Sequence, residues 1–329
     1  MRHVRQVDIA NELGIDRATV TRALLNDPAI AKATRQTVRE TADRLGYIPN
    51  SLGRALATGH HPVIGLVMIG GFYFGIDGIA RALAGSEWST QLFITTDNFT
   101  EQQDTVRQLF EKRVAGVIFR TWYAQSSQQL SGAESIRARH CPLVLEGMLA
   151  EIPGYTQVTF DFHQGMLESL RYLQSQGHTR VGLVYHSLEE WPHIFTAAAE
   201  QMGMTPSVMS LPGTGTGKLA WLLDAVWTGA QRPTALLLTS LQLAIEFDRY
   251  RWQRRLEIPR DLSVIMLQYH TVWVPHLHED YPYLIFDDTL SAHKAAEVLL
   301  DLIERHDDSP RTVLVPGRLR FPNKDEESV

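Results

Sequence analysis

Arg17 and Arg22 stand five positions apart, with the small residues Ala18, Thr19 and Thr21 between them. A guanidinium is a planar fork of N–H donors that matches the O6 and N7 acceptors of guanine, and small neighbours let a backbone approach a groove. Arg5, upstream, is placed to meet a phosphate. Other chemistry is thin. The single cysteine, Cys141, excludes an internal disulfide framework and a cysteine zinc site. His270, His276 and His278 sit among aromatics but lack HxxxH or HExxH spacing, so no metal is expected. The run GTGTGKLA from Gly213 lacks the Lys-Ser/Thr spacing of a phosphate loop. Arg249, Arg251, Arg254 and Arg255 read as a solvated helix face. No nucleophile–base arrangement stands out; neither an enzyme nor a cofactor is expected.

The two arginines need a helix to aim them. Val7, Ile9, Ala10 and Leu13 fall at helical spacing, Gly14 ends that segment, and Ile15 follows as an apolar plug. Asp16 is placed to cap a second helix from Arg17 to about Leu25. Val20 and Leu24 face inward on it, leaving Arg17, Ala18, Thr21 and Arg22 outside. A third helix is predicted from Lys32 to Leu45, with Val38, Ala42 and Leu45 inward and Gly46 at its end. Two short helices joined through a glycine form a helix-turn-helix, whose second helix enters the major groove. A generic three-helix bundle would not need small exposed residues between arginines. Charge points the same way. Residues 1–60 hold nine Lys/Arg against six Asp/Glu, a balance of +3, and the remainder of the chain carries −9. A basic head on an acidic body implies that the head meets a polyanion.

The run VDIANELGIDRATVTRALLN, followed by TRQTVRETADRLGYIPNSLGRALATG, resembles the headpiece and hinge of the LacI/GalR family of transcription repressors. The match joins the helix-turn-helix to Leu45–Asn50 and to the Ala55-Leu56-Ala57 run, and continues more loosely to about residue 320. Arg5 stands where the family has a Ser or Thr cap, and Ala31 where it has Ser; each loses a cap worth about 1 kcal/mol. The resemblance implies a hinge helix over Asn50 to Ala57, formed only on operator DNA and against a second subunit. In isolation so short a helix is unstable. Leu56 would then wedge between base steps of the minor groove; the alternative is that it packs on the body. The implied DNA-contact set is Arg5, Arg17, Ala18, Thr19, Thr21, Arg22, Asn50, Leu56 and Ala57.

At 329 residues and 37.2 kDa, with 44% hydrophobic and 21% charged residues, the chain is an ordinary globular protein of about two domains. The apolar stretch from Val63 to Ile76 is too short to span a bilayer, and the N-terminus has no apolar signal core, so a cytoplasmic site is expected. From Val63 onward, apolar runs at PVIGLVMIG, STQLFITT, VAGVIF, CPLVLE, RVGLVYH, TALLLTS and LSVIML alternate with helical stretches. That pattern means parallel sheets covered on both faces. The resemblance adds two lobes like those of periplasmic binding proteins (type I), with crossovers near Asp161 and Asp288. The expected architecture is therefore a small all-α headpiece (1–46), a hinge helix and linker (47–61), and a two-lobed α/β domain (62–329) for effector binding and dimerisation.

Ligands of such sheets bind at the carboxyl ends of the strands. Phe72, Tyr73, Asp97, Arg120, Trp122, Glu146, Tyr185, His186, Ser240, Gln268 and Tyr269 lie there. Sugar-binding members of the family carry an Arg near the position of Trp191, Asn-Asp at Ser240-Leu241 and Gly-Tyr-Asp-Asp at Met266–Tyr269. Those hydroxyl-binding groups are replaced. The expected effector contacts are Phe72, Tyr73 and Arg120 from one lobe and Trp191, Ser240 and Gln268 from the other. Trp191 is expected to stack on a ring and Arg120 to leave room for an anion. After Phe321 the tail PNKDEESV has no heptad, so a homodimer is the default. The expected function is a DNA-binding transcription regulator, acting as a dimer on a near-palindromic operator and modulated by a small effector. The alternative is a regulator controlled by a protein partner, with a vestigial cleft. A third reading, an enzyme or solute-binding protein with a fused head, lacks a catalytic constellation or a signal peptide.

Overall fold

The computed structural model describes residues 4–47, 62–70, 74–121, 130–147, 151–186, 190–211, 218–227, 232–268, 282–306 and 309–321. The chain divides into two compact units, residues 1–61 and 62–329.

The first unit contains α1 (Gln6–Leu13), α2 (Arg17–Leu24) and α3 (Lys32–Leu45). Their apolar stripes meet in a core of Ile9, Ala10, Val20, Ala23, Val38 and Ala42, with Leu13, Ile15, Leu24 and Leu45 partly buried against it. Gly14 ends α1 with φ 63° and Gly46 ends α3 with φ 70°, a left-handed turn that glycine makes without Cβ strain. The caps differ in part from expectation. Asp16 occupies the cap position of α2, but its side chain makes no capping bond. At α1 the missing Ser/Thr is partly compensated, because the Arg5 N–H donates to the Asp8 carboxylate at 2.7 Å. Ala31, as expected, offers α3 no side-chain cap.

The second unit is two six-stranded sheets. The strands of the first lobe are β1 (Val63–Ile69), β2 (Ser89–Thr95), β3 (Gly116–Arg120), β4 (Leu143–Glu146) and β5 (Thr156–Asp161), joined by α4 (Ile76–Ala82), α5 (Phe99–Glu111) and α6 (Ser131–Arg137). The chain then crosses at Asp161 into α7 (Phe162–Ser175). The second lobe follows with β6 (Arg180–Tyr185), α8 (Glu190–Gln201), β7 (Thr205–Ser210), α9 (Lys218–Trp227), β8 (Ala235–Leu238), α10 (Leu241–Arg254), β9 (Ser263–Gln268) and β10 (Tyr283–Ile285). A second crossing leads into α11 (Asp288–Arg305), which packs on the first lobe, and on to β11 (Thr312–Pro316). A third crossing, at Gly317, was not in the sequence pattern. It carries the chain to β12 (Arg318–Arg320) on the second sheet.

The first sheet runs β11-β5-β4-β3-β1-β2 and is parallel throughout. The second runs β12-β10-β9-β8-β6-β7 and is parallel except for β12. Val, Ile and Leu fill the central strands because both faces are covered. Two glycines set the docking of α11. A Cβ on Gly75 would lie 2.4 Å from the Asp288 carbonyl oxygen, and one on Gly78 2.0 Å from that of Thr289. Only bare backbone lets α4 approach α11 so closely. Among the described residues, no helix is long and apolar enough to cross a membrane.

Candidate nucleic-acid interface and ligand cleft

In the head, partner bonds sort the basic residues. Arg35 donates to the Asn26 carbonyl at 3.1 Å and Arg39 to its side chain at 2.5 Å, which ties down a residue at φ 60°. Arg44 pairs with Glu12, and Arg5 lies 4.0 Å from Asp8. The Arg17 and Arg22 side chains are exposed and have no partner among the described residues. Ala18 is exposed beside them, and Thr19 and Thr21 are half-buried. α2 thus presents two unpaired guanidinium groups flanking a small-residue surface. Its Thr21 hydroxyl lies 2.9 Å from the Gln6 side-chain amide and 3.0 Å from the Arg17 carbonyl. Gln6 did not stand out in the sequence, since no periodicity links positions 6 and 21 across two helices. Asn50, Leu56 and Ala57 lie outside the described residues.

Parallel strands bring their carboxyl ends to one edge of each sheet. In the first lobe Arg120 and Glu146 are the last residues of β3 and β4, and they are register partners. Arg120 is 8% exposed and Glu146 is fully buried. The guanidinium Nε contacts one carboxylate oxygen, and a second nitrogen lies 3.4 Å from the other. Arg120 also donates to the Phe74 carbonyl. Ser291 of α11 donates to Glu146 at 2.7 Å. Two buried charges this deep survive only because each meets its opposite and further hydrogen bonds. The expectation of an Arg120 free to receive an anion is therefore corrected: its donors are already engaged. The recess around the pair, walled by Ile69, Thr121, Phe160 and Asp288, encloses about 10 Å³, roughly room for one water.

The second lobe places Ser240 at the start of α10, its hydroxyl accepting from the Leu243 N–H at 3.3 Å. Gln268 ends β9, beside Ile285 of β10. His186, after β6, has Nδ1 3.3 Å from the Leu211 carbonyl, and its buried Nε2 has no partner among the described residues. Trp191 is 2% exposed. Its ring meets Phe162 at 5.1 Å, edge to face, and Phe286 at 6.4 Å. Phe162 and Phe286 also meet Phe160, at 5.9 and 5.4 Å. These aromatics straddle two of the three crossings. The open ring face expected of Trp191 is taken up by this cluster. Phe72 and Tyr73 lie outside the described residues, as do His270, His276 and His278.

The profile described as "Bacterial regulatory proteins, lacI family" matches residues 7–50, and that of a "Periplasmic binding protein-like domain" matches residues 170–321. Catabolite control protein A of Priestia megaterium is 24% identical over 272 residues, which cover 78% of this chain and 80% of that protein. The transcriptional repressor PurR of Vibrio atlanticus is 22% identical over 271 residues, 78% and 80% of the two chains. A Lac repressor dimer bound to operator and the anti-inducer ONPF superposes with a TM-score of 0.76 at 18% identity, over 97% of this chain and 98% of that one.

Proposed function

From its membership of the lacI family of DNA-binding transcription regulators, which are repressors with an effector-binding domain and not enzymes, we propose that this chain works as a homodimer on a near-palindromic operator. Each α2 reads one half-site. The observation that carries this reading is the sorting of charges in the head: Arg35, Arg39 and Arg44 are bound internally, whereas Arg17 and Arg22 are exposed and have no partner among the described residues. Arg5 and the hinge residues Asn50, Leu56 and Ala57 complete the contact set. Symmetric DNA calls for a symmetric protein. Exposed apolar side chains in both lobes support dimerisation through the body: Leu92 and Ile94 on the edge strand β2, and Trp221 and Trp252 on α9 and α10. The test is Arg22→Ala in a binding assay over operator variants. It should cost about 1–3 kcal/mol and relax preference at one base pair per half-site. An even loss on all sequences overturns base reading by Arg22.

The body is proposed to sense a small molecule in the cleft between lobes, with Ser240 and Gln268 on one side and Phe72 and Tyr73 on the other. Arg120 would join only after leaving Glu146. The engaged Arg120–Glu146 pair favours a second reading, in which the cleft is vestigial and the body answers to a protein partner. A thermal-shift screen of metabolites separates the two, because a ligand that binds the folded form raises stability by RT ln(1 + [L]/Kd).

A further inference from the structure

Phe286 is fully buried and lies in the second crossing, between β10 and α11. The other two crossings meet its ring. The first brings Phe162, edge to face at 4.9 Å, and Phe160 at 5.4 Å. The third brings Gly317, where a Cβ would lie 2.7 Å from Phe286 Cε1 and 3.1 Å from Cζ. On α7, one turn past the first crossing, a Cβ on Gly165 would lie 3.1 Å from Cζ and 3.2 Å from Cε1. Both glycines therefore face the same edge of one ring. The Leu284 methyl groups come next, 3.2 Å from the first Cβ and 3.1 Å from the second. Neither glycine has a left-handed backbone, so conformational freedom does not explain them. Glycine inside a helix costs about 1 kcal/mol against alanine. Room for the Phe286 ring does explain both.

We infer that Phe286 is the positioning residue of the hinge: its ring gears the three crossings together, and Gly165 and Gly317 are glycines because they seat it. Packed interiors do not deform continuously; they hold one arrangement or switch to another. A crossing that turns displaces the ring, and the displaced ring presses on the other two. The lobes therefore change angle in one step, and a methyl group at either glycine moves the resting angle. The gearing concerns the body alone. That the lobe angle alters operator affinity rests on the regulator proposed above.

The test uses the full chain with Cys141→Ser and spin labels at Glu200→Cys and Glu304→Cys, exposed positions near the ends of α8 in one lobe and α11 in the other. Labelled chains are diluted with unlabelled ones, so that each distance lies within one chain. Gly317→Ala and Gly165→Ala should each move the distance peak, and the double variant should depart from the sum of the two. With Phe286→Leu, which clears the ring edge, the Gly317→Ala shift should vanish and the Gly165→Ala shift should fall. Operator Kd should follow the same pattern, with a change of about tenfold for Gly317→Ala only where Phe286 is present. Distances unmoved by either alanine overturn the gearing. So do shifts that add, or shifts of equal size with and without the ring. If Phe286→Leu loses its cooperative thermal transition, Phe286→Met, flexible and unbranched, replaces it with the same expectations. Distances that behave as expected in chains that bind no operator uphold the gearing and overturn the regulator reading.

Discussion

Glu146 carries its charge with no solvent exposure, held by Arg120 and Ser291. Removing one partner strands the other, at a cost of about 3–5 kcal/mol. Glu146→Ala should therefore lower the denaturant midpoint of the body far more than removing the exposed pair at Arg107 and Asp104, worth about 0–1 kcal/mol. Equal shifts would show that Glu146 is not a structural charge. His178 behaves differently. Its two ring nitrogens lie 2.9 Å from Thr234 Oγ1 and 2.8 Å from Ser263 Oγ, at the starts of β6, β8 and β9, and burial lowers its pKa below the usual 6.5. The unfolded chain thus takes up the proton first as pH falls. Stability is complete above about pH 6.5 and declines below it, towards the lowered folded value. Measured by urea unfolding between pH 7.5 and 5, His178→Gln should show a flatter acid decline than the parent. The same decline in both would clear His178 of the effect. The exposure of Arg17 and Arg22 on α2 was legible from sequence, because helical spacing alone sets it. The engagement of Arg120 was not legible. Its partner is 26 positions away, and only strand register brings the two together.

At the level of elements, short-range patterns were the ones that could be read. Gly14 and Gly46 stop their helices where left-handed backbone is needed, and all seven apolar runs became strands. β5, β7, β10, β11 and β12 escaped notice for a physical reason. β7 (TPSVMS) is a half-solvated edge strand carrying a proline, β10 and β12 have three residues each, and β5 (TQVTFD) alternates polar with apolar. These four lack the continuous apolar run of a central parallel strand, and β11 (TVLVP) has only a three-residue run, on a sheet edge where Leu314 is exposed. The third crossing was hidden with them. Trp191 shows how position alone misleads: it lies shortly after β6, yet α8 turns its ring into the aromatic cluster at the crossings. Trp191→Ala should accordingly cost about 3–5 kcal/mol of body stability without any ligand present, and Trp191→Phe much less. Differential scanning calorimetry decides the matter; an unchanged transition in Trp191→Ala would return the ring to the ligand cleft.

For the molecule as a whole, charge and architecture divide the labour. The +3 of residues 1–60 is set against −9 over the rest, so attraction to a polyanion is concentrated in the head. The body brings two lobes joined by three crossings, with exposed apolar groups on both. On the proposed dimer, the spacing of the two half-sites on DNA reports the distance between the two recognition helices. A single experiment bears on this most directly: selection of duplexes by the full-length protein, followed by sedimentation of the complex with the best sequence. Two inverted half-sites about one helical turn apart, with two chains on each duplex, are expected. An asymmetric motif occupied by one chain would contradict the proposal of a dimeric operator-binding regulator.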